Sequence, residues 1–252
     1  MRAADAVVWH DVECGAYTSD LPLWRELARH ARGPVLDLGA GTGRVALDLA
    51  EHGYDVTALD VDRTLLDELE RRAQRRGVRV EPAHGDARTF PVDRRFALVL
   101  APMQFLQILG GPRGRAAVLR AAAGALVPGG RFAAALARLD DAVPPLDAAP
   151  PVPDVTERDG WVFSSLPLDV RPEPGGVAVE RLRQIVTPAG ELSEERHTQV
   201  LESLSAEQLE AEAAAAGLQP EVRHVIGATD DHVGSEVVVC RRSRSARSIP
   251  TS

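Results

Sequence analysis

The chain has 252 residues, 44% of them hydrophobic, and a formal net charge of −8. That length and apolar content suit one sizeable α/β domain, or a domain with a lid, and exclude global disorder. The acidic balance excludes binding to nucleic acid through a broad basic face.

Residues 1–18 carry Trp9, His10, Asp11, Cys14 and Tyr17 without a clear period. Asp20 is placed to cap a helix through residues 21–28, with Pro22 in its first turn and Gly33-Pro34 closing it. Val35 to Leu38 is a short apolar run with one carboxylate, Asp37, inside it. Gly39, Gly41 and Gly43 follow at alternate positions, and Val45, Leu47, Leu49 and Ala50 begin a helical pattern. The reading is strand, tight glycine turn, helix. Glycines there supply positive φ without penalty and room for a ligand against the backbone. The helix start offers unpaired N–H groups to an anionic or polar ligand. A cofactor site is therefore expected. Gly41-Thr-Gly43-Arg-Val-Ala46 also satisfies the dinucleotide pattern G-x-G-x-x-G/A, so the spacing leaves the cofactor open. Asp37 is what a nicotinamide-binding turn does not need. It can orient the backbone of the turn or, through water, a cationic amine.

The helix is expected to run to about His52, with Gly53 at its end, and residues 55–60 to form a second strand ending in an acid. Crossing one helix and returning along an adjacent parallel strand brings Asp60 beside the glycine turn. There it can accept two ribose hydroxyls in charge-assisted hydrogen bonds, a role common to any adenosine cofactor. A helix N-cap role for Asp60 or Asp62 is the alternative. Residues 64–76 read as an amphipathic helix closed by Gly77, its charges a solvated face. Residues 78–81 are a third strand leading to His84-Gly85-Asp86-Ala87. Residues 95–101 are almost wholly apolar, as a parallel sheet covered on both faces demands. The segment after them, residues 102–107, lies beyond the carboxyl ends of the strands, where open α/β sheets bind ligands. A helix over 113–126, a turn Val127-Pro-Gly-Gly-Arg131 and a fifth strand over 132–137 follow.

Residues 140–153 read as an irregular connection. Three β-like segments come next, 161–170, 177–186 and 197–204, separated by Gly175-Gly176 and Pro188-Ala-Gly190 as hairpins are. Trp161, Phe163, Ser165 and Pro167 share one face of the first; Val177, Val179, Arg181 and Arg183 alternate along the second. This predicts an antiparallel insert that covers an acceptor pocket or makes a dimer contact. Ser205 and Gln208 have capping-box spacing for a helix over 206–216, ended by Gly217. Strands over 221–226 and 235–240 complete the sheet, and the basic, Ser-rich end of the chain is expected to be disordered. The two cysteines, Cys14 and Cys240, form no metal-spaced pair, so no metal is expected and a reducing compartment is. Without a signal pattern or a run of about 18 apolar residues, a soluble, cytoplasmic chain is expected. All 29 of its Lys+Arg residues are arginine, which reads as a compositional bias of the source genome.

Taken together, the glycine turn with Asp37, the acid Asp60, Gly85-Asp86-Ala87 and the Pro128-Gly-Gly turn, in that order, resemble the class I S-adenosylmethionine (SAM)-dependent methyltransferases. The resemblance implies a Rossmann-like, doubly wound seven-stranded sheet whose last strand is antiparallel. It implies a cap segment and helix over 1–33, a SAM-binding domain over 34–138 and 205–241, the β insert over 139–204 and a tail over 242–252. It assigns SAM contacts to Asp37, Gly39, Ala40, Gly41, Thr42 and Gly43, to Asp60 and Val61, to Gly85, Asp86 and Ala87 around adenine, and to Ala101 and Met103. Tyr17 reaches SAM or the substrate, or else is a packing aromatic. Gln104, Phe105 and Gln107 are acceptor-pocket candidates, with a core role the alternative for Phe105. The segment Ala101-Pro-Met-Gln104 departs from the Asn/Asp-Pro-Pro-Tyr/Phe element of DNA adenine and glutamine methyltransferases. The Pro-Cys nucleophile of cytosine-C5 enzymes is also missing. Small-molecule members of the family are more permissive here, so the resemblance implies a small-molecule acceptor, methylated at O or N by in-line displacement. His10, His197 and His232 lie in segments able to reach the pocket, and none is assigned as a base. The alternatives are a nicotinamide-dependent oxidoreductase and a SAM-binding protein that transfers nothing. The expected partners are a small molecule and a second copy of the chain, with neither nucleic acid nor membrane.

Overall fold

The computed structural model describes residues 3–90, 94–139, 151–229 and 232–244. Most of the expected irregular connection, residues 140–150, and residues 245–252 of the expected tail lie outside that set. Among the described residues no helix is long and apolar enough to cross a membrane.

Two sheets and six α-helices make up the described chain. Helix α1 (Ala3–Cys14) precedes α2 (Leu21–Ala31), and β1 (Val35–Leu38), α3 (Arg44–Glu51), β2 (Val56–Asp60), α4 (Arg63–Arg76) and β3 (Glu81–His84) follow. Then come β4 (Phe96–Ala101), a 3-10 turn (Phe105–Ile108), α5 (Pro112–Ala125) and β5 (Leu126–Ala137). The main sheet has the order β10-β12-β5-β4-β1-β2-β3, where β10 is Leu218–Pro220 and β12 is Ser235–Arg242. Strands β1 to β5 are mutually parallel and β12 is antiparallel to β5. The order reverses between β1 and β4, which opens a crevice at their carboxyl ends. One face of the sheet is covered by α2, α3 and α4 through Trp24, Leu27, Leu47 and Leu69; the other by α5 and α6 (Ala206–Ala215) through Val118, Leu119 and Leu209. The capping box at Ser205 and Gln208 starts α6.

Local departures from the sequence reading have physical causes. Asp20 sits at the N-cap of α2 but its carboxylate turns inward, accepting the buried Trp24 Nε1–H at 2.7 Å. Strand β3 starts three residues late, because Val78 N–H is still tied to Ala73 O and Val80 is buried before pairing with β2 begins at Thr57–Glu81. The Pro128-Gly-Gly turn lies within β5 as a bulge: Phe96 pairs with Leu126, but Leu98 already pairs with Arg131. Gly129, at φ +82°, takes the bend. The strand expected over 221–226 is shorter, β11 (His224–Ile226), and β10 forms before it where none is expected; the two lie one after the other along β12, so the sheet path has seven strands and eight in all.

The insert is a separate four-stranded antiparallel sheet, β6-β7-β8-β9. Its strands are β6 (Asp154–Arg158), β7 (Trp161–Glu173), β8 (Gly176–Val186) and β9 (Leu192–Glu202). β6 is one strand more than the sequence suggests, and β9 begins five residues early. Phe163 and Ser165 of the predicted β7 face are buried, whereas Trp161 at its end is 41% exposed. Helix α1 fills the space between the sheets. Val8, Trp9 and Val12 pack on Phe163, and the Trp9 and Phe163 rings meet edge to face at 6.0 Å.

Candidate functional site

A cavity of about 560 Å³ opens at the reversal point of the main sheet. Its floor is built by strand ends: Asp37, Gly39 and Ala40 after β1; Leu59, Asp60 and Val61 from β2; Gly85, Asp86, Ala87 and Arg88 after β3; Pro102 to Phe105, then Ile108 and Leu109, after β4. Its roof comes from α1 (Ala6, Trp9, His10, Glu13 and Cys14) and from the insert (Arg183, His197 and Gln199). Met103 holds φ +52°, a conformation that costs a non-glycine residue about 1–2 kcal/mol. It stands where the floor turns upward from β4.

Two carboxylates dominate the floor. Asp60 is fixed by backbone donors, Gly41 N–H at 2.8 Å and Asp62 N–H at 2.9 Å, one to each oxygen. Asp62, not Asp60, caps α4, accepting Thr64 N–H at 2.8 Å. Asp37 is 1% exposed, and its Oδ1 is buried without a hydrogen-bond partner. Burial pushes its carboxyl up to about 7; Arg44 pulls against that and Asp60 adds to it. Every guanidinium in the wall is already paired with a carboxylate. Arg44 grips Asp20 through two nitrogens at 2.5 and 2.8 Å. Arg88 forks onto Asp86 at 2.6 to 3.0 Å, and Arg183 onto Glu13 at 2.8 Å. Asp37 and Asp60 have no ion-pair partner among the described residues. The net field of the floor is therefore negative.

All three turn glycines have positive φ, +66°, +56° and +94°. Protein side chains, however, occupy the space their missing Cβ atoms leave: Phe105 over Gly39, His10 over Gly41, and Leu47 and Leu69 over Gly43. His10 thus lies directly on the turn. Thr42 Oγ1 gives its one proton to Asp11 Oδ1 at 2.8 Å, so the 3.3 Å contact with His10 Nδ1 requires that nitrogen to donate. Burial holds the His10 pKa below the usual imidazole range, against the pull of Asp11 and Asp60. A neutral His10 with its lone pair on Nε2 results.

Of the residues singled out by sequence, Asp37, Gly39, Ala40, Asp60, Val61, Gly85, Asp86, Ala87, Met103, Gln104 and Phe105 line the cavity, as do His10 and His197. Seven others do not. Gln107 is fully buried, and its amide is spent on Ala137 N–H (2.7 Å) and Glu202 O (3.1 Å), so its role is structural. Tyr17 and His232 lie outside the cavity lining: the Tyr17 ring lies under the Arg44 guanidinium and is tilted against the His232 ring at 4.7 Å. Ala101 is buried in the sheet core. Gly41 and Gly43 are buried in the turn, and Thr42 faces α1. Sequence reasoning missed Trp9, Glu13, Arg44, Arg88, Arg183 and Gln199. Trp9 and Glu13 have the i, i+4 spacing of one helix face, the only local signal that finds them.

Residues 35–130 match the family model described as a methyltransferase domain. A segment of 96 residues is 38% identical to the cypemycin N-terminal methyltransferase of a Streptomyces species; it spans 38% of this chain and 38% of that protein. SAM-bound CalS10, an amino pentose methyltransferase of Micromonospora echinaspora, superposes with TM-score 0.71 at 19% identity, covering 96% of this chain and 98% of its own. The sugar N-methyltransferase KedS8 of a Streptoalloteichus species superposes with TM-score 0.72 at 21% identity, covering 94% of this chain and 92% of its own. At those identities the two structures establish a shared fold.

Proposed function

We propose that this chain, a member of the class I SAM-dependent methyltransferases, transfers a methyl group to the nitrogen of a small-molecule amine. The observation that carries the cofactor assignment is Asp37: a buried carboxylate with an unpartnered oxygen in a cavity wall, paired with no cation. Such a group needs a donor or a cation to complete it. SAM, when bound, supplies both a cationic amine and a methyl group activated on a sulfonium leaving group. Asp37 would face the amine. Asp60 keeps lone pairs for ribose hydroxyls beside its two backbone donors. Val61, 70% exposed, offers an apolar face to a flat base; both Asp86 oxygens are taken by the backbone N–H and guanidinium of Arg88, which would have to give up one of these bonds for Asp86 to accept from the exocyclic amine.

The same floor disfavours a pyrophosphate. Gly41 N–H is already given to Asp60, and that carboxylate has no counter-charge beside the turn among the described residues. This weighs against the nicotinamide alternative. Nitrogen as the acceptor atom is supported by the names of the relatives: an N-terminal methyltransferase, an amino pentose methyltransferase and a sugar N-methyltransferase. The roof of α1 and the insert would exclude water and hold the acceptor in line; such positioning alone can supply about 7–11 kcal/mol. A neutral amine attacks with its own lone pair, so no strong base is required. Incubation with methyl-labelled SAM and size-matched panels of primary amines and alcohols tests this. Label is expected in the amine fraction. Label in alcohols alone contradicts the nitrogen assignment, and SAM binding without transfer to any acceptor supports a non-catalytic SAM-binding protein instead.

A further inference from the structure

We propose that Glu13 is the acceptor-binding carboxylate of this cavity and that it selects an amine over a neutral group of the same shape. The inference rests on the methyl-transfer reading above and adds a residue and an electrostatic basis for the choice of nitrogen. Glu13 lies in the last turn of α1, where a helix end disfavours an anion. Three donors compensate. Arg183 Nε donates to Oε1 and Nη2 to Oε2, each at 2.8 Å, and Ser165 Oγ donates to Oε1 at 2.8 Å. Arg181 Nε stands 3.8 Å from Oε1. Each carboxylate oxygen accepts two hydrogen bonds, so Oε1 is filled and Oε2 retains one free position. Glu13, Arg183 and Trp9 all line the cavity, and the guanidinium lies over the indole at 5.2 Å. The Arg183 charge is thus already engaged on two sides.

A purely structural role for the pair leaves its place in the cavity wall unexplained. α1 is docked to the insert by other contacts: Val8 and Val12 on Phe163, and Asp11 on Arg158. Chemistry gives the free position on Oε2 a use. The ammonium that Glu13 binds first gives one proton to solvent, and the neutral amine then attacks: as the new N–C bond forms and the C–S bond breaks, sulfur keeps the electron pair and nitrogen becomes positive again. A fixed carboxylate beside that nitrogen stabilises the charge as it develops. Burial alone pushes the Glu13 carboxyl up, but the Arg183 guanidinium outweighs it and holds the group below the ordinary carboxylate range. So weak a base does not take a hydroxyl proton, which leaves alcohols without help from this residue.

The test uses the full chain loaded with S-adenosylhomocysteine and titrated with cyclohexylamine and cyclohexanol. These probes match in shape and differ in charge. The wild-type chain should bind the amine about tenfold more tightly, as for a hydrogen bond to a charged group. Glu13→Gln should abolish most of that preference and leave the S-adenosylhomocysteine affinity unchanged; Glu13→Asp should retain the preference. Equal binding of both probes to the wild-type chain, or an undiminished preference in Glu13→Gln, overturns the proposal. The wild-type comparison stands even where a variant fails to fold. Failure of the wild-type chain to bind S-adenosylhomocysteine overturns the cofactor reading instead.

Discussion

Asp37 and Asp60 flank one glycine turn but are held differently, and that difference predicts different behaviour. The folded Asp37 carboxyl lies near 7 against an ordinary 3.8. Between about pH 4 and pH 7 the folded chain therefore keeps a proton that the unfolded chain has lost. The stability tied to protonated Asp37 is full below that window and is lost as pH rises through 7, on the order of 4 kcal/mol. Asp37→Asn should flatten that slope, as urea midpoints at pH 5 and pH 7.5 will report; an unchanged slope contradicts it. A cationic ligand favours the carboxylate, so SAM affinity should rise from pH 5.5 to 7 with release of a proton. Asp60→Asn should weaken SAM by about 1.5–3 kcal/mol through lost charge-assisted bonds, and unchanged affinity in a folded variant removes its ribose role. Both acids were legible because a glycine turn and a strand end announce them. Glu13 and Arg183, 170 positions apart, were not, since nothing local marks a pair made by tertiary packing. Gln107 was misread because only the fold reveals that its amide is spent on the backbone.

The same division holds for whole elements. Apart from β3, whose polar residues 81–84 hide its start, the units from β1 to α5 have apolar strands and clearly bounded helices, and they read directly from the sequence. α1 did not, because its polar residues face other protein charges and not water, which erases the amphipathic period. Asp11 is the clearest case. It accepts from Thr42 of the turn and pairs with Arg72 of α4 and Arg158 of β6, with 10% of its side chain exposed. β9 was misplaced because its start, Leu192-Ser-Glu-Glu-Arg, is the polar outer edge of the insert, and edge strands carry charge. Asp11→Asn should release α1 from its three partners. Amide exchange in α1 should accelerate about tenfold or more while β1 and β4 stay protected, and unchanged exchange in α1 contradicts the latch.

Across the whole molecule, two sheets and a helix between them enclose one negatively charged cavity at the point where the strand order reverses. The floor is the part the sequence spells out, and its charge suits a cationic nucleoside. The roof is assembled from distant segments, and its shape and polarity bear on the acceptor. Titration calorimetry of the full chain with SAM, and separately with NAD, tests this most directly. SAM should bind at one site per chain, and NAD should give no binding heat. NAD held in the cavity, or no binding of SAM, contradicts it.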